Sequence, residues 1–121
     1  MKVLVVDDSK TIRLVIGKTL KQMGHEVLEA ANGKEAVTSL AANRDVGLAL
    51  VDWNMPEMNG YEFVVATRQD PASKTLPIMM VTTEAEIANM QKAVAAGANE
   101  FIVKPFTAQA LQEKMALLGI K

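Results

Sequence analysis

Four short apolar runs in this chain each end at polar side chains that can bind phosphate or a metal ion. The runs and the residues that follow them are Lys2 to Val6 with Asp7 and Asp8, Gly47 to Val51 with Asp52, Pro77 to Val81 with Thr82, and Phe101 to Val103 with Lys104 and Pro105. Runs of this length and composition are typical of buried β-strands. If these strands are neighbours and parallel, their polar ends meet along one edge of a sheet.

Between these runs the apolar residues recur with helical spacing, so strands and helices alternate along the whole chain. A fifth run, Glu26 to Ala30, is more polar than the others and suits the edge of a sheet. Alternation of apolar strands with helices predicts a parallel sheet covered on both faces. With right-handed crossovers, this favours a doubly wound, flavodoxin-like α/β fold of five βα units and strand order 2-1-3-4-5.

The helical stretches carry apolar residues that should face the sheet. One face of the first predicted helix carries Ile12, Val15, Ile16, Leu20 and Met23. Ser9 precedes this helix as a suitable N-cap, and Gly24 follows it as a suitable end. Because of their helical spacing, we expect Ile87 and Met90 in a single fourth helix, and Met115 in the last helix, to be core residues.

Composition and charge restrict the class of protein. The chain has 121 residues, of which 50% are hydrophobic and 22% charged, which predicts one globular domain over residues 1–121. The net charge of −1 predicts no general attraction to nucleic acid, and the absence of cysteine excludes disulfides and thiolate metal sites. No apolar run has the length of a membrane span or a signal peptide, so we expect a cytoplasmic protein without membrane insertion.

The acidic edge of the predicted sheet indicates a metal site. Asp7, Asp8 and Asp52 repel one another when brought together, and without a cation the pKa of at least one carboxyl should rise. Magnesium suits a site of carboxylates, water and phosphate oxygens. It would compensate two of the three negative charges, and Lys104 the third. Such a neutralised site can receive a phosphoryl group, for which aspartate is a known covalent acceptor.

Each of these residues also has an ordinary explanation when it is taken alone. Asp7 and Asp8 could form a turn or cap a helix, Asp52 could belong to a turn, and Thr82 could lie at a helix cap. Lys104 could be a surface lysine. Their joint position at four strand ends favours a single phosphate-accepting site over four unrelated explanations.

The sequence around these positions resembles the receiver domains of two-component response regulators. The matching stretches are Val5 to Ser9, Val51 to Gly60, Val81 to Thr82, and Val103 to Phe106. The resemblance covers nearly the full length of the chain. Trp53, Asn54 and Glu84, which flank the site, are similar to residues of the stand-alone receivers of bacterial chemotaxis. The resemblance therefore implies a signalling switch, with chemotaxis and flagellar motor control as one possible pathway.

The resemblance implies a role for each acidic residue. Asp52 is the expected phosphoacceptor, and Asp8 is expected to bind Mg²⁺ directly with the help of Asp7. The backbone carbonyl of Asn54 would complete the ligands that the protein supplies. The phosphoryl group would come from a histidine kinase or a small phosphodonor, so the chain is expected to be a phosphoacceptor with self-modification chemistry only, and not an enzyme.

The resemblance also implies how the signal leaves the site. Lys104 would pair with the phosphoryl group, before a cis bond to Pro105, and the Thr82 hydroxyl would move toward that group. Phe101 would then turn inward, although it lacks the hydroxyl of the tyrosine that is frequent in the family. The expected output surface is formed by helix 4, strand 5 and helix 5, where a downstream protein would bind. Its candidate rim residues are Gln91, Lys92, Gln112 and Lys114.

Alternative functions remain open at this stage. A phosphohydrolase of the haloacid dehalogenase type also uses an aspartyl phosphate, but it needs a second acid where this chain has Asn54. A flavodoxin-like cofactor binder would need a phosphate-binding loop where this chain has Asp7 and Asp8. The chain could also be one receiver from a larger regulator. His25, the only histidine, follows Gly24 away from the site and is expected to be a solvated loop residue.

Overall fold

A computed structural model describes residues 1–120, in which five parallel strands form one sheet. The strands are β1 (Lys2–Val6), β2 (Glu26–Ala30), β3 (Val46–Asp52), β4 (Ile78–Thr82) and β5 (Glu100–Val103). Their order is β2-β1-β3-β4-β5. The predicted doubly wound α/β fold and its strand order are therefore confirmed, and the more polar β2 lies at an edge.

Helices cover both faces of this sheet. They are α1 (Lys10–Gln22), α2 (Gly33–Ala42), α3 (Gly60–Gln69), α4 (Met90–Ala96) and α5 (Ala108–Leu117). A short 3₁₀ turn, Pro71–Ser73, follows α3, and a 3₁₀ helix, Glu84–Asn89, precedes α4. None of the helices in residues 1–120 combines the length and the apolar character that crossing a membrane requires.

The strands alternate their side chains between two hydrophobic clusters. In β1, Leu4 and Val6 pack with residues of α2, α3 and α4, whereas Val3 and Val5 pack with residues of α1 and α5. Successive residues of a strand point to opposite faces, so a strand buried on both faces must be apolar throughout. This explains why the apolar runs in the sequence are continuous and do not alternate between apolar and polar residues.

The first helix begins and ends where the sequence predicts, but its buried face is narrower. The Ser9 hydroxyl accepts a hydrogen bond from the Ile12 amide (3.3 Å), and Gly24 follows the helix with a φ of 91°. Ile16 and Leu20 are buried, four residues apart, whereas Val15 is 60% exposed. The expectation that Val15 shares the inward face is therefore wrong, because Val15 lies outside the row of Ile16 and Leu20 that packs into the core.

The expected fourth helix is two pieces rather than one. Residues Glu84–Asn89 form a 3₁₀ helix in which no residue is buried, and the α-helix begins only at Met90. Met90 and Met115 are buried as predicted, but Ile87 is 41% exposed, so its assignment to the core is wrong. Helical spacing alone could not reveal that this segment does not pack against the sheet.

The prediction that His25 is a solvated loop residue is also wrong. Its side chain is buried, because the His25 amide donates to the Leu20 carbonyl (3.0 Å) and the Glu26 amide to the Met1 carbonyl (2.9 Å). These bonds hold the junction between α1 and β2 against the beginning of β1. The imidazole Nδ1 lies 3.3 Å from the Met1 amino nitrogen, and burial lowers the pKa of the imidazole.

Candidate functional site

The carboxyl ends of β1 and β3 bring three acidic residues together. Val6 pairs with Val51, so the residues that come next, Asp7 and Asp52, lie side by side. Asp7, Asp8 and Asp52 each offer a carboxylate oxygen, and these oxygens lie within 4.8 Å of one another. Asp7 and Asp52 are buried, whereas Asp8 is exposed. The cluster expected from the strand ends is thus present, with one side open to solvent.

Lys104 approaches this cluster from β5, two strands away from β3. Its Nζ lies 3.1 Å from an oxygen of Asp52 and 3.7 Å from an oxygen of Asp7. The Lys104 amide donates to the Thr82 carbonyl (2.7 Å), which holds the turn after β5 beside the end of β4. The peptide bond between Lys104 and Pro105 is cis.

Burial and like charge dominate the electrostatics of the site. Burial, reinforced by the charge of Asp7, raises the pKa of Asp52 to about 6 despite the nearby Lys104. Burial also raises the pKa of Asp7, against the Ser9 amide hydrogen bond and Lys104. Burial disfavours the Lys104 ammonium, but attraction to Asp52 and Asp7 outweighs this and raises its pKa. The site therefore holds more negative charge than its own lysine compensates.

The two carboxylate oxygens of Asp7 differ in their hydrogen bonding. Oδ1 accepts a hydrogen bond from the Ser9 amide (2.8 Å), but buried Oδ2 has no hydrogen-bond partner in the described part of the chain. The Lys104 ammonium, at 3.7 Å, is too far from Oδ2 for a hydrogen bond. A buried, unpartnered carboxylate oxygen next to two other carboxylates fits a hard divalent cation. The residues present are therefore suited to hold such an ion.

The residues after β3 flank the cluster. The Trp53 amide donates to the Val81 carbonyl (3.1 Å), and its indole packs edge-on against Tyr61, with ring centroids 6.4 Å apart. The Asn54 side chain is exposed, and its Nδ2 donates to a carboxylate oxygen of Glu86. The expected metal-binding role of the Asn54 backbone carbonyl stays a prediction.

The two expected switch residues lie at different distances from the cluster. Thr82 is fully buried at the end of β4, and its hydroxyl donates to the Thr83 carbonyl at 3.3 Å. Phe101 lies in β5, two residues before Val103, which is the partner of Thr82 in the sheet. The Phe101 ring is half-buried, with the Lys114 ammonium 5.4 Å from its centroid. Thr82 therefore lies at the end of β4, next to the end of β3 that carries Asp52, and Phe101 packs half-buried against the hydrophobic cluster that contains Met80 and Met90.

Two residues near the site were missed from the sequence. Arg13 donates from Nη1 to the Asp7 carbonyl (2.6 Å) and pairs with Glu29 (3.0 Å); no local pattern predicts this contact. Glu86 binds Asn54 and lies three residues after Thr83. The spacing from Thr83 to Glu86 matches a helix capping box, so the sequence could have predicted the contact between these two residues. Glu84, which the sequence placed beside the site, is exposed on the same 3₁₀ helix.

Comparison with known proteins agrees with this geometry. The sequence model of the response regulator receiver domain matches residues 3–116. The chain belongs to this receiver family. Chemotaxis protein CheY1 of Helicobacter pylori is 50% identical to this receiver over 119 residues, which cover 98% of the chain and 96% of that protein. A CheY homologue of Campylobacter jejuni is 52% identical over 116 residues, or 95% and 89% of the two chains.

Solved structures show the same fold. The chemotaxis response regulator CheY4 of Vibrio cholerae superposes on this receiver with a TM-score of 0.89 and 40% identity, over 97% of each chain. The receiver domain of a Pseudomonas aeruginosa sensor histidine kinase has a TM-score of 0.87 and 28% identity, over 98% of this chain and 97% of its own. That domain was solved with a magnesium ion coordinated in its active-site cleft. The chain is thus a two-component receiver with chemotaxis proteins among its relatives.

Proposed function

We propose that this receiver is a phosphorylation-activated switch that accepts a phosphoryl group on Asp52 from a histidine kinase. The observation that carries the proposal is the convergence of Asp7, Asp8 and Asp52 with Lys104, in which a buried Asp7 oxygen has no hydrogen-bond partner among residues 1–120. In this site Asp52 is the nucleophile, the Lys104 ammonium supplies one positive charge, and the carboxylates can bind a metal cation. Phosphoryl transfer needs little more than this positioning and charge neutralisation.

The proposed metal ion is Mg²⁺. Asp7, Asp8 and Asp52, together with the backbone carbonyl of Asn54, would hold it, and oxygen ligands of this kind suit magnesium. When bound, Mg²⁺ would neutralise charge on the phosphoryl oxygens. The magnesium ion in the cleft of the related Pseudomonas aeruginosa domain supports this choice.

In the proposed reaction an oxygen of Asp52 forms a bond to the phosphorus of a phosphohistidine. The phosphorus–nitrogen bond breaks, and the imidazole leaves with its electron pair. Lys104 stays protonated, because its pKa is raised, and it pairs with the phosphoryl oxygens as it now pairs with Asp52. Asp52 must be ionised to act as the nucleophile. A metal ion held by these carboxylates would favour that form, because its positive charge would oppose the effect of burial on the Asp52 pKa.

The proposed output surface lies behind Thr82. The Thr82 hydroxyl, now bonded only weakly to a backbone carbonyl at 3.3 Å, reaches toward the phosphoryl group, and Phe101 turns inward behind it. An open apolar groove on this side is lined by Ile87, Met90, Gln91, Val94, Ala95 and Phe101. Binding of a protein partner there, in chemotaxis or flagellar motor control, is supported by the chemotaxis proteins among the relatives.

The residues expected at the rim of this surface differ in their exposure and in their contacts. Gln91 and Gln112 are exposed, and Lys114 is half-buried with an ion pair to Glu100 (3.3 Å). Lys92 lies over the ring of Tyr61, 4.3 Å from its centroid. Lys92 is therefore directed toward α3, and the glutamines are the better candidates for contact with the partner.

A switch is favoured over a phosphohydrolase by the residue two positions after the phosphoacceptor. A hydrolase of the haloacid dehalogenase type uses an acid there, whereas Asn54 is an amide whose nitrogen donates to Glu86. An amide is a poor proton donor to a leaving group and cannot act as a general base. We therefore propose that the chain accepts and loses a phosphoryl group without turnover of phosphate esters.

Incubation with acetyl phosphate and Mg²⁺, followed by mass spectrometry, tests this function. We expect one phosphoryl group per chain, located at Asp52, and none after addition of EDTA or in Asp52→Asn. Labelling that persists in Asp52→Asn would contradict the proposed acceptor. Repeated turnover of p-nitrophenyl phosphate would instead support the hydrolase.

A further inference from the structure

The carboxylate of Glu86 joins two loops that border the phosphoacceptor. One oxygen accepts hydrogen bonds from the Thr83 amide (3.2 Å) and the Thr83 hydroxyl (3.0 Å). The other oxygen accepts a hydrogen bond from Asn54 Nδ2. Thr83 follows the last residue of β4, and Asn54 lies two residues after Asp52. We call this set of contacts the Glu86 link.

The segment that the Glu86 link holds has few other anchors. No residue of the 3₁₀ helix Glu84–Asn89 is buried, and Ile87 is 41% exposed. A 3₁₀ helix has poorer hydrogen-bond geometry than an α-helix and rarely extends beyond one turn. Segments with exposed backbone bonds and little buried apolar surface are those that open most readily. Within residues 1–120, the bonds of Glu86 to Asn54 and Thr83 are the only side-chain hydrogen bonds that residues 84–89 make.

The negative charge of Glu86 acts on Lys104 inside the site. After the larger effects of burial, Asp52 and Asp7, the Glu86 carboxylate contributes to the raised pKa of Lys104. A phosphoryl group on Asp52 would carry roughly −1.5 to −2 charges in place of one carboxylate charge. It would also draw the Lys104 ammonium to its own oxygens. Both changes act against a second anion held at the border of the site.

We propose that Glu86 is a positioning residue that holds residues 83–89 against Asn54 while Asp52 is unmodified, and that a phosphoryl group on Asp52 releases it. This inference rests on the proposed function, because it assumes that Asp52 is the acceptor. Release would free the segment that carries Ile87 beside the apolar groove of α4.

Reciprocity makes this proposal quantitative. If a phosphoryl group weakens the Glu86 link, then the link must weaken binding of a phosphoryl mimic by the same factor. Removing the link should therefore tighten the binding of beryllofluoride at Asp52. A coupling of ordinary size corresponds to a factor of roughly 5 or more.

Titration with beryllofluoride at saturating Mg²⁺, followed by ¹⁹F NMR, measures this factor. We expect Glu86→Ala to bind at least about 5-fold more tightly than the wild type. Glu86→Gln should shift in the same direction, because it keeps the side-chain shape but loses the charge and one acceptor atom. Glu84→Gln is the matched control: it removes the same charge from the same segment, and no hydrogen bond to the Glu84 side chain occurs within residues 1–120.

A spectroscopic readout separates release from a general loss of stability. The side-chain amide resonances of Asn54 should move when beryllofluoride binds to the wild type. In Glu86→Ala they should already lie near the shifted position, and in Glu84→Gln they should behave as in the wild type. Equal beryllofluoride affinity in wild type and Glu86→Ala, or Asn54 resonances unaffected by binding, overturns this inference alone. Failure of the wild type to bind beryllofluoride overturns the proposed function and this inference with it.

Discussion

Replacement of Asp52 by Asn should stabilise the metal-free protein at neutral pH. The pKa of Asp52 is raised from 3.8 to about 6, chiefly by burial, so the folded state binds a proton there more tightly than the unfolded chain. Ionisation of Asp52 therefore lowers the free energy of unfolding. This loss grows as the pH rises from about 4 to about 6, and it stays constant above that range. Asparagine resembles the protonated acid and can still accept the hydrogen bond from Lys104, so it avoids this cost.

The magnitude follows from the two pKa values. A difference of about 2 units corresponds to a gain of about 3 kcal/mol for Asp52→Asn at pH 7.5, and to about 1 kcal/mol at pH 4.5, where the folded wild type is mostly protonated. Urea unfolding followed by circular dichroism, in EDTA at the two pH values, measures both numbers. Added Mg²⁺ should then raise the stability of the wild type more than that of Asp52→Asn, because binding to the folded state is stabilising.

Asp45→Asn is the control for this experiment. Asp45 is exposed, and its hydrogen bond with Lys2 lowers the pKa of its carboxyl, so loss of its charge should not stabilise the protein at neutral pH. If Asp52→Asn were no more stable than the wild type at pH 7.5 in EDTA, this would refute the argument that burial of the ionised Asp52 carboxylate destabilises the folded protein. A gain that did not shrink at pH 4.5 would point to a cause other than ionisation.

Four further predictions concern the acidic site and two glycines. Mg²⁺ should change the fluorescence of Trp53, and its apparent affinity should decrease as the pH falls through about 6, because protons compete for Asp52; an affinity independent of pH would contradict this. Lys104→Ala should still bind beryllofluoride weakly but lose the NMR shifts that it causes in α4 and β5, and retention of those shifts would exclude a coupling role for this lysine. Gly60→Ala should lose about 1–3 kcal/mol in urea unfolding, since its Cβ would lie 2.6 Å from the Asp52 carbonyl oxygen. Gly17→Ala, which has no contact closer than 3.4 Å, should instead gain roughly 0.5–1 kcal/mol.

The sheet and the acidic cluster were predictable because both depend on short-range patterns. Each apolar run became a strand with its ends within a residue or two of the prediction, and β3 ends at Asp52 itself. Parallel neighbours place their carboxyl ends on one edge, so the meeting of Asp7, Asp8 and Asp52 followed from strand order. The Ser9 cap was equally local, since its hydrogen bond spans three residues.

The errors arose where burial depends on how separate segments meet. Val15 and Ile87 fit an apolar helical spacing, yet both are exposed, because the sheet covers only part of α1 and does not cover the 3₁₀ helix. His25 looked like a loop residue, but backbone bonds to Leu20 and from Glu26 hold it against the start of β1. Spacing along one segment carries no information about which neighbour covers it.

By itself, the sequence determined the alternation of strands and helices, and with it which polar residues stand at the strand ends. The tertiary structure alone decided how those residues are paired. It left one Asp7 oxygen without a hydrogen-bond partner in residues 1–120, and it joined Asn54 to Glu86 across 32 positions of sequence. The physical reason is the range of the interactions: backbone preference and hydrophobic periodicity act over a few residues, whereas side-chain pairing and pKa depend on atoms that only the folded chain brings together.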